Sequence, residues 1–349
     1  MLKFIFVVFY MKCRCIFALD KQLSYITKTF SIMNAIKTQV QSILVENGLD
    51  FQIVKRQLVA LEEVAQTETA ENSAFADLLA PEMVEHKTPY FGLFNSKSGE
   101  CINSVKEGYT ISQNDEVVEM VLRGIEPFSD KLNVSFGGSL NGGRKVFLQL
   151  KVEGKSKVGN DTLIQYITII DSNDGSTSLS IGISDLCMRC SNQFFKFYKA
   201  GNAKYRHTAT IEQKIKEIPM LISIALTECM SQVELYNKFV STPVTRSLAN
   251  QMLKSMLGYD REFTAMDILK TKSTKALNIL DAMTTDIETE FNQVGLNAWA
   301  LLGGITRYTT HTQSVPKREN ARNESLMSGG GYKLNQKALE FCTELVGAN

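Results

Sequence analysis

The alternation of apolar and polar positions is clearest in the middle of the chain, where it predicts a run of antiparallel strands. Val134-Ser135-Phe136 leads into Asn141-Gly142-Gly143, and Val146-Phe147-Leu148-Gln149-Leu150-Lys151-Val152 follows as a strongly β-forming run. Asn-Gly is the favoured two-residue hairpin turn because both of its central residues need positive φ. A further strand covers 164–170, Asp171-Ser172-Asn173-Asp174-Gly175 reverses it, and 178–183 alternates cleanly. Ahead of this block, residues 90–94, the turn-forming 95–99 and 101–105 read as another hairpin, and 117–122 as a short amphipathic helix ending near Gly124. After it, Ser191 is placed to cap a helix running through Phe194 and Tyr198. The local order is therefore helix, four antiparallel strands, helix.

Beyond residue 208 the pattern turns helical. Thr210 and Gln213 have capping-box spacing ahead of Ile211, Ile215, Ile218 and Ile222, in a helix that Pro219 should kink. Thr242-Pro243 supplies a cap with proline at the first helical position, and Gly258 is placed to end that helix. Amphipathic segments follow at 274–291, 297–312 and 334–346. Residues 34–88 are acidic, with Glu62, Glu63, Glu68, Glu71, Glu82 and Glu85 among short apolar clusters, and read as short helices and loop forming an arm. The expected fold is α+β: a central antiparallel β-meander flanked by helices, with a helical C-terminal part. It divides into an N-terminal extension (1–33), the acidic arm (34–88), an α+β core (89–208) and a helical region packed on it (209–349).

Composition supports a folded chain, since 44% apolar against 21% charged residues over 349 positions suffices to bury a core. The formal net charge is only +1, so a polyanionic partner must be argued from where charges sit. Seven scattered cysteines do not form the even, dense framework of a small secreted domain and point to a reducing compartment, here the cytoplasm. Phe4-Ile5-Phe6-Val7-Val8-Phe9-Tyr10 after Lys3 resembles the start of a secretory signal, but Lys12 and Arg14 interrupt it and no small-x-small site follows. No stretch reaches the ~20 apolar residues of a membrane span, so no membrane partner is expected. Met33 opens a plausible beginning for the folded part.

Several motifs carry chemistry in other contexts. Gly137 to Arg144 is glycine-rich, yet lacks the Gly-Lys-Ser/Thr ending of a phosphate loop and reads as a tight turn that places Arg144 and Lys145 at a hairpin tip. Ser328-Gly329-Gly330-Gly331 reads as a linker. Cys187-Met188-Arg189-Cys190 has redox-pair spacing, but with no second pair and only three histidines it reads as two inert thiols at a strand-to-helix junction. Asp171 and Asp174 read as turn residues. No metal, cofactor or catalytic constellation is expected.

The most informative stretch is 187–216. Arg189, Lys196, Lys199, Lys204, Arg206, Lys214 and Lys216 stand against the single acid Glu212, interleaved with Phe194, Phe195, Phe197, Tyr198 and Tyr205. Basic groups track a phosphate backbone while aromatic faces stack unpaired bases, the composition of a single-strand groove. The predicted contact set for single-stranded DNA is Arg144, Lys145, Arg189, Lys196, Lys199, Lys204, Tyr205 and Arg206. The plainer reading of the same residues puts Phe194 and Tyr198 on the inner face of a helix with Lys196 and Lys199 in solvent. A second basic run contains Arg307, His311, Lys317, Arg318, Arg322 and Lys333.

These motifs resemble a phage and plasmid family known as domain of unknown function 932. The resemblance rests on Gly108-Tyr109-Thr110-Ile111-Ser112-Gln113-Asn114, Gly137-Gly138-Ser139-Leu140 with Gly142-Gly143-Arg144, Asp174-Gly175-Ser176, Cys190-Ser191-Asn192, Arg206-His207-Thr208 and Asn297-Ala298-Trp299-Ala300-Leu301-Leu302, in that order over about 88–346. Asn173 stands where the family tends to show histidine, and Ser191 where it often has asparagine. The resemblance implies a mobile-element origin and no settled activity. The layout is also similar to single-strand annealing proteins of the Rad-fifty-two type. The expectation is a non-enzymatic, homo-oligomeric binder of single-stranded DNA in phage replication or recombination. The alternative is an accessory factor whose acidic arm engages a phage or host protein.

Overall fold

The computed structural model describes residues 33–64, 82–175, 179–197, 211–257 and 274–348. The chain begins with a helix over 33–46 (α1) and enters a long ribbon of β1 (Ile53–Val64) and β2 (Glu82–Asn95), which turns into β3 (Cys101–Lys106). These three strands form one antiparallel sheet in the order β1-β2-β3. The expected 90–105 hairpin is present, but 53–64 is strand where the acidic arm was read as short helix and loop. Near the body the ribbon is anchored by buried Ile53 and Leu93. Further out, Val59, Leu61, Met83 and Tyr90 are exposed.

Helix α2 (Asn114–Ile125) follows, and its first residues tie the ribbon to the core. Gln113 pairs with Ile53 like a neighbouring strand: its Nε2 donates to the Ile53 carbonyl at 3.0 Å and its Oε1 accepts from the Ile53 N–H at 2.9 Å. Buried Asn114 donates to the carbonyls of Leu49 and Phe51. The Gln-Asn signature is thus an anchor for backbone groups that burial would otherwise leave unpaired.

The second sheet contains β4 (Leu132–Leu140), β5 (Lys145–Val152), β7 (Asp161–Ser172), β8 (Ser180–Cys187) and β9 (Gln193–Phe197) in that spatial order, with short β6 (Ser156–Val158) paired to β7. The predicted meander is present with two strands more than expected, β6 and β9. Gln193-Phe194-Phe195-Lys196-Phe197 is β9, not the start of a helix. Phe194 and Phe195 are both buried, on opposite faces of the sheet, as successive strand residues must be. Ser191 has φ +55° and sits in the β8–β9 turn, capping nothing. Tyr198 lies outside the described residues.

One face of this sheet, through Val146, Leu148, Leu150, Ile167, Ile169, Ile181 and Ile183, packs with α1, α2 and the first half of α3 (Ile211–Ser241). Further along the same face, Leu163, Cys187 and Phe194 join Tyr236 and Phe239 of α3 and the C-terminal helices. The opposite face buries Phe147, Ile170 and Phe195 against Leu326 and Met327. Helix α3 has Pro219 in its interior and is long and apolar enough over Ile218–Ser241 to pass for a membrane span, but one side of it lies on the sheet.

Helix α4 (Arg246–Met256) is capped by Thr245, whose side chain accepts from the Leu248 N–H. Thr242-Pro243 is not its cap; Pro243 forms an isolated bridge with Asn297 instead. Thr210 and Gly258, the other proposed helix signals, lie outside the described residues. Helices α5 (Thr274–Val294) and α6 (Ala298–Arg307) match the predicted amphipathic segments, and a π-turn, Tyr308–Thr312, extends α6. Their crossing is close because Gly304 has no side chain: a Cβ there would lie 2.5 Å from the Ile287 Cα. The Ser328 to Gly331 stretch is a tight junction between α7 (Ala321–Ser328) and α8 (Gly330–Ala348), not a linker.

Candidate functional site

The sheet has two chemically different ends. At one, the β4–β5 turn runs through Asn141, Gly142 and Gly143 with φ of 56°, 69° and 94°, as Asn-Gly chemistry predicts. The neighbouring β7–β8 turn supports it: Asn173 donates from its backbone N–H to the Arg144 carbonyl at 2.7 Å and from Nδ2 to the Gly143 carbonyl at 2.8 Å. Asn320 reaches in from the loop before α7 and donates to the Ser139 carbonyl at 3.0 Å. Held this way, the tip exposes Arg144 and leaves Lys145 half-buried.

An open cleft of about 700 Å³ lies beside the tip, lined by Arg144, Asn141, Glu100, Arg318, Glu319 and Asn320 among others. Arg318 belongs to the second basic run, so the fold brings together two cationic positions far apart in sequence. Arg318 also pairs with Glu324 at 2.5 Å. The register places the exit of β9 at this same end, since Lys145 faces Ser172, Ile170 faces Ser180 and Gly182 faces Phe197. Lys199, Lys204, Tyr205 and Arg206 follow that exit and lie outside the described residues.

Arg189 is at the other end of the sheet, in the β8–β9 turn. Twelve-residue β7 separates the two ends by about 37 Å at ~3.4 Å per residue. There Arg189 turns inward: Nε meets Asp161 Oδ1 at 2.7 Å, Nη2 meets Glu290 Oε2 at 2.6 Å, and Nη1 bonds Gln293. Asp161 also accepts from the indole Nε1 of Trp299 at 2.8 Å. Glu290, with no exposed surface, lies 3.8 Å from Arg307 Nη1, and Arg307 Nε bonds Asp286 at 3.2 Å. The result is a row of alternating charge that clamps the sheet to α5 and α6. Burial works against the Arg189 cation, but its bonds to Asp161 and Glu290 raise its pKa further above the ordinary value.

The predicted DNA-contact set therefore divides. Arg144 and Lys145 stand at the open end, whereas Arg189 is satisfied by buried acids. Lys196 points to the helix-covered face, where its Nζ donates to Gln232 Oε1 at 3.1 Å. The expected solvated helical face carrying Lys196 does not exist, because the segment is a strand. Asp161 and Glu290 were not legible as partners of Arg189, since no local spacing marks acids 28 and 101 residues away.

Close to the clamp is a cavity of about 30 Å³, lined by Cys187, Cys190, Asn192, Tyr236, Glu290 and Trp299 among others. Asn192 donates to the Gly303 carbonyl at 3.1 Å, while its buried Oδ1 has no partner. Asp185, also lining it, accepts from Gln165 at 3.1 Å and from the Tyr236 hydroxyl at 3.0 Å. Burial pushes the Asp185 carboxyl up to about 6 despite those bonds. Cys187 and Cys190 face each other across the turn, which joins two strands and not a strand and a helix. Their mutual hydrogen bond holds Cys187 below the ordinary thiol range and Cys190 above it. Among the described residues, no group of three or more His, Cys, Asp or Glu side chains is arranged to hold a metal ion.

Fold and site define an α+β chain with an antiparallel sheet, a cationic hairpin tip at one end and a buried ionic clamp at the other. Residues 101–328 match the family described as Domain of unknown function (DUF932), and the chain belongs to that family. The match runs from β3 to the end of α7 and so contains both ends of the large sheet. No curated protein and no solved structure matches the chain.

Proposed function

We propose that this protein is a non-enzymatic, ATP-independent binder of single-stranded nucleic acid, acting in the cytoplasm during phage or plasmid DNA replication or recombination. The observation that carries this reading is the convergence of Arg144 and Arg318 on one open cleft. Arginines at a cleft neutralise phosphates and release counterions, and their planar forks bond phosphate oxygens in pairs. Arg144, Lys145 and Arg318, with Lys199, Lys204, Tyr205 and Arg206 beyond β9, form the proposed contact set. Arg189 and Lys196 leave it. Glu100 and Glu319 offset charge in the cleft, so one copy binds weakly and a homo-oligomer supplies affinity by repetition along the strand.

Fluorescence anisotropy with labelled single- and double-stranded DNA across a salt series tests this. The native chain should prefer single strands, with affinity falling linearly in log salt. The R144E/K145E/R318E variant should bind much more weakly and with a shallower slope. Equal binding by the variant would remove this site.

The β1–β2 ribbon favours a second reading. Val59, Leu61, Met83 and Tyr90 expose apolar surface on a projecting two-stranded element, which suits contact with a protein partner. Partner binding insensitive to salt, together with no affinity for DNA, would favour it.

A further inference from the structure

We propose that Cys187 and Cys190 are a peroxide-oxidisable dithiol that closes to a disulfide across the β8–β9 turn. The geometry is local and already closed. The Ser191 N–H donates to the Cys187 carbonyl at 2.8 Å and the Cys187 N–H to the Asn192 carbonyl at 3.1 Å, folding 187–192 into a tight turn. Such a turn brings the i and i+3 Cα atoms within about 7 Å, and a disulfide spans about 4.4–6.8 Å. Both side chains line one cavity beside that turn, so neither strand has to move far for a sulfur–sulfur bond to form.

The surroundings separate this pair from the other cysteines described. Cys229 and Cys342 are buried, and burial pushes each thiol up to about 12; Cys101 is exposed. Cys187 and Cys190 face one cavity together. Its volume, about 30 Å³, exceeds the ~10–15 Å³ that one water needs and is far below the size of a glutathione disulfide, so it suits a molecule as small as hydrogen peroxide. The unpartnered Asn192 Oδ1 is an acceptor for a peroxide O–H in that cavity. The hydrogen bond from Cys190 favours thiolate at Cys187, the nucleophilic form.

The chemistry balances with one peroxide. The Cys187 thiolate attacks a peroxide oxygen, forming an S–O bond as the O–O bond breaks, and the departing hydroxide takes a proton to become water. The Cys190 sulfur then attacks the sulfenic sulfur, the S–S bond forms, and the S–O bond breaks. The second water leaves with the Cys190 proton. Two thiols have lost two electrons and two protons to one peroxide.

The chain supplies its own readouts. Trypsin cleaves after Arg189, between the cysteines, so an intact disulfide leaves peptides 158–189 and 190–196 linked in an unreduced digest of the denatured protein. Trp299 is the chain's one tryptophan and lines the same cavity, so its emission should fall on oxidation and recover with dithiothreitol. Full-length protein treated with hydrogen peroxide and then alkylated should yield the linked peptide. C190S should yield none and leave Cys187 as a sulfenic acid that dimedone captures. Glutathione disulfide should modify Cys101 and leave the pair reduced. Separate, fully alkylated peptides in a sample whose Cys101 is oxidised would overturn the proposal. Oxidation of the pair by glutathione disulfide as fast as by peroxide would overturn the role given to the cavity. The measurement on unmodified protein decides the matter even if C190S does not fold.

Discussion

Arg144 and Arg189 stand at opposite ends of the same sheet, each in a turn between adjacent strands, and the fold uses them in opposite ways. Arg144 faces solvent beside an open cleft, while Arg189 faces Asp161 and a Glu290 with no exposed surface. The difference is one of solvent. A guanidinium at a wet surface can exchange water for phosphate at low cost. One already bonded to buried carboxylates can leave only by stranding their charge. A basic, aromatic stretch of sequence is thus weak evidence for nucleic-acid contact until the acids that meet it in space are known.

The largest effect that could break this comparison is at the clamp. Arg189→Ala leaves Glu290 buried with its principal partner gone and should destabilise the fold by about 3–5 kcal/mol in chemical denaturation. An effect below about 1 kcal/mol would mean that the clamp is not a clamp.

Next comes Asp185 on the same side. Its pKa is about 6 in the fold and ~3.9 unfolded, so the folded state holds a proton the unfolded state has lost between those values. Stability from this group is present below about pH 4 and is lost as pH rises through about 6, by about 3 kcal/mol in all. Asp185→Asn should remove that slope from a pH series of denaturation midpoints.

A smaller effect is expected at Gly304, where alanine would press a Cβ against the Ile287 backbone and cost about 1–3 kcal/mol. The smallest belongs to the open end: Arg144→Ala should change stability by no more than about 0.5 kcal/mol. Loss of DNA affinity in that variant without loss of stability would sharpen the contrast between the two ends.

Strands β4, β5, β7 and β8 were legible because they are β-forming runs joined by Asn-Gly and Asp-x-x-Asp-Gly turns, which demand particular backbone angles, whereas short β6 was not. Nor was strand β9. Phe194 and Tyr198 are four apart behind a serine, which imitates a capped helix, whereas burial on both faces of a strand leaves no period to read. The ribbon strands were hidden by their own exposure, since acidic residues facing water at Glu62, Glu63 and Glu85 give no buried stripe. At the candidate site, the hairpin tip was legible from its local chemistry. The Arg144–Arg318 cleft and the Arg189–Glu290 clamp were not, because both are made by topology from residues far apart in the chain.

Helix α3, about 46 Å long at 1.5 Å per residue, gives Ile218, Ile222, Ala225 and Cys229 to one hydrophobic cluster and Tyr236 and Phe239 to the other. Neither cluster can melt without exposing part of the helix that seals its neighbour, so the two should unfold in one cooperative transition. A lesion at the clamp would then lower the number of folded molecules without altering the open end of each one that remains.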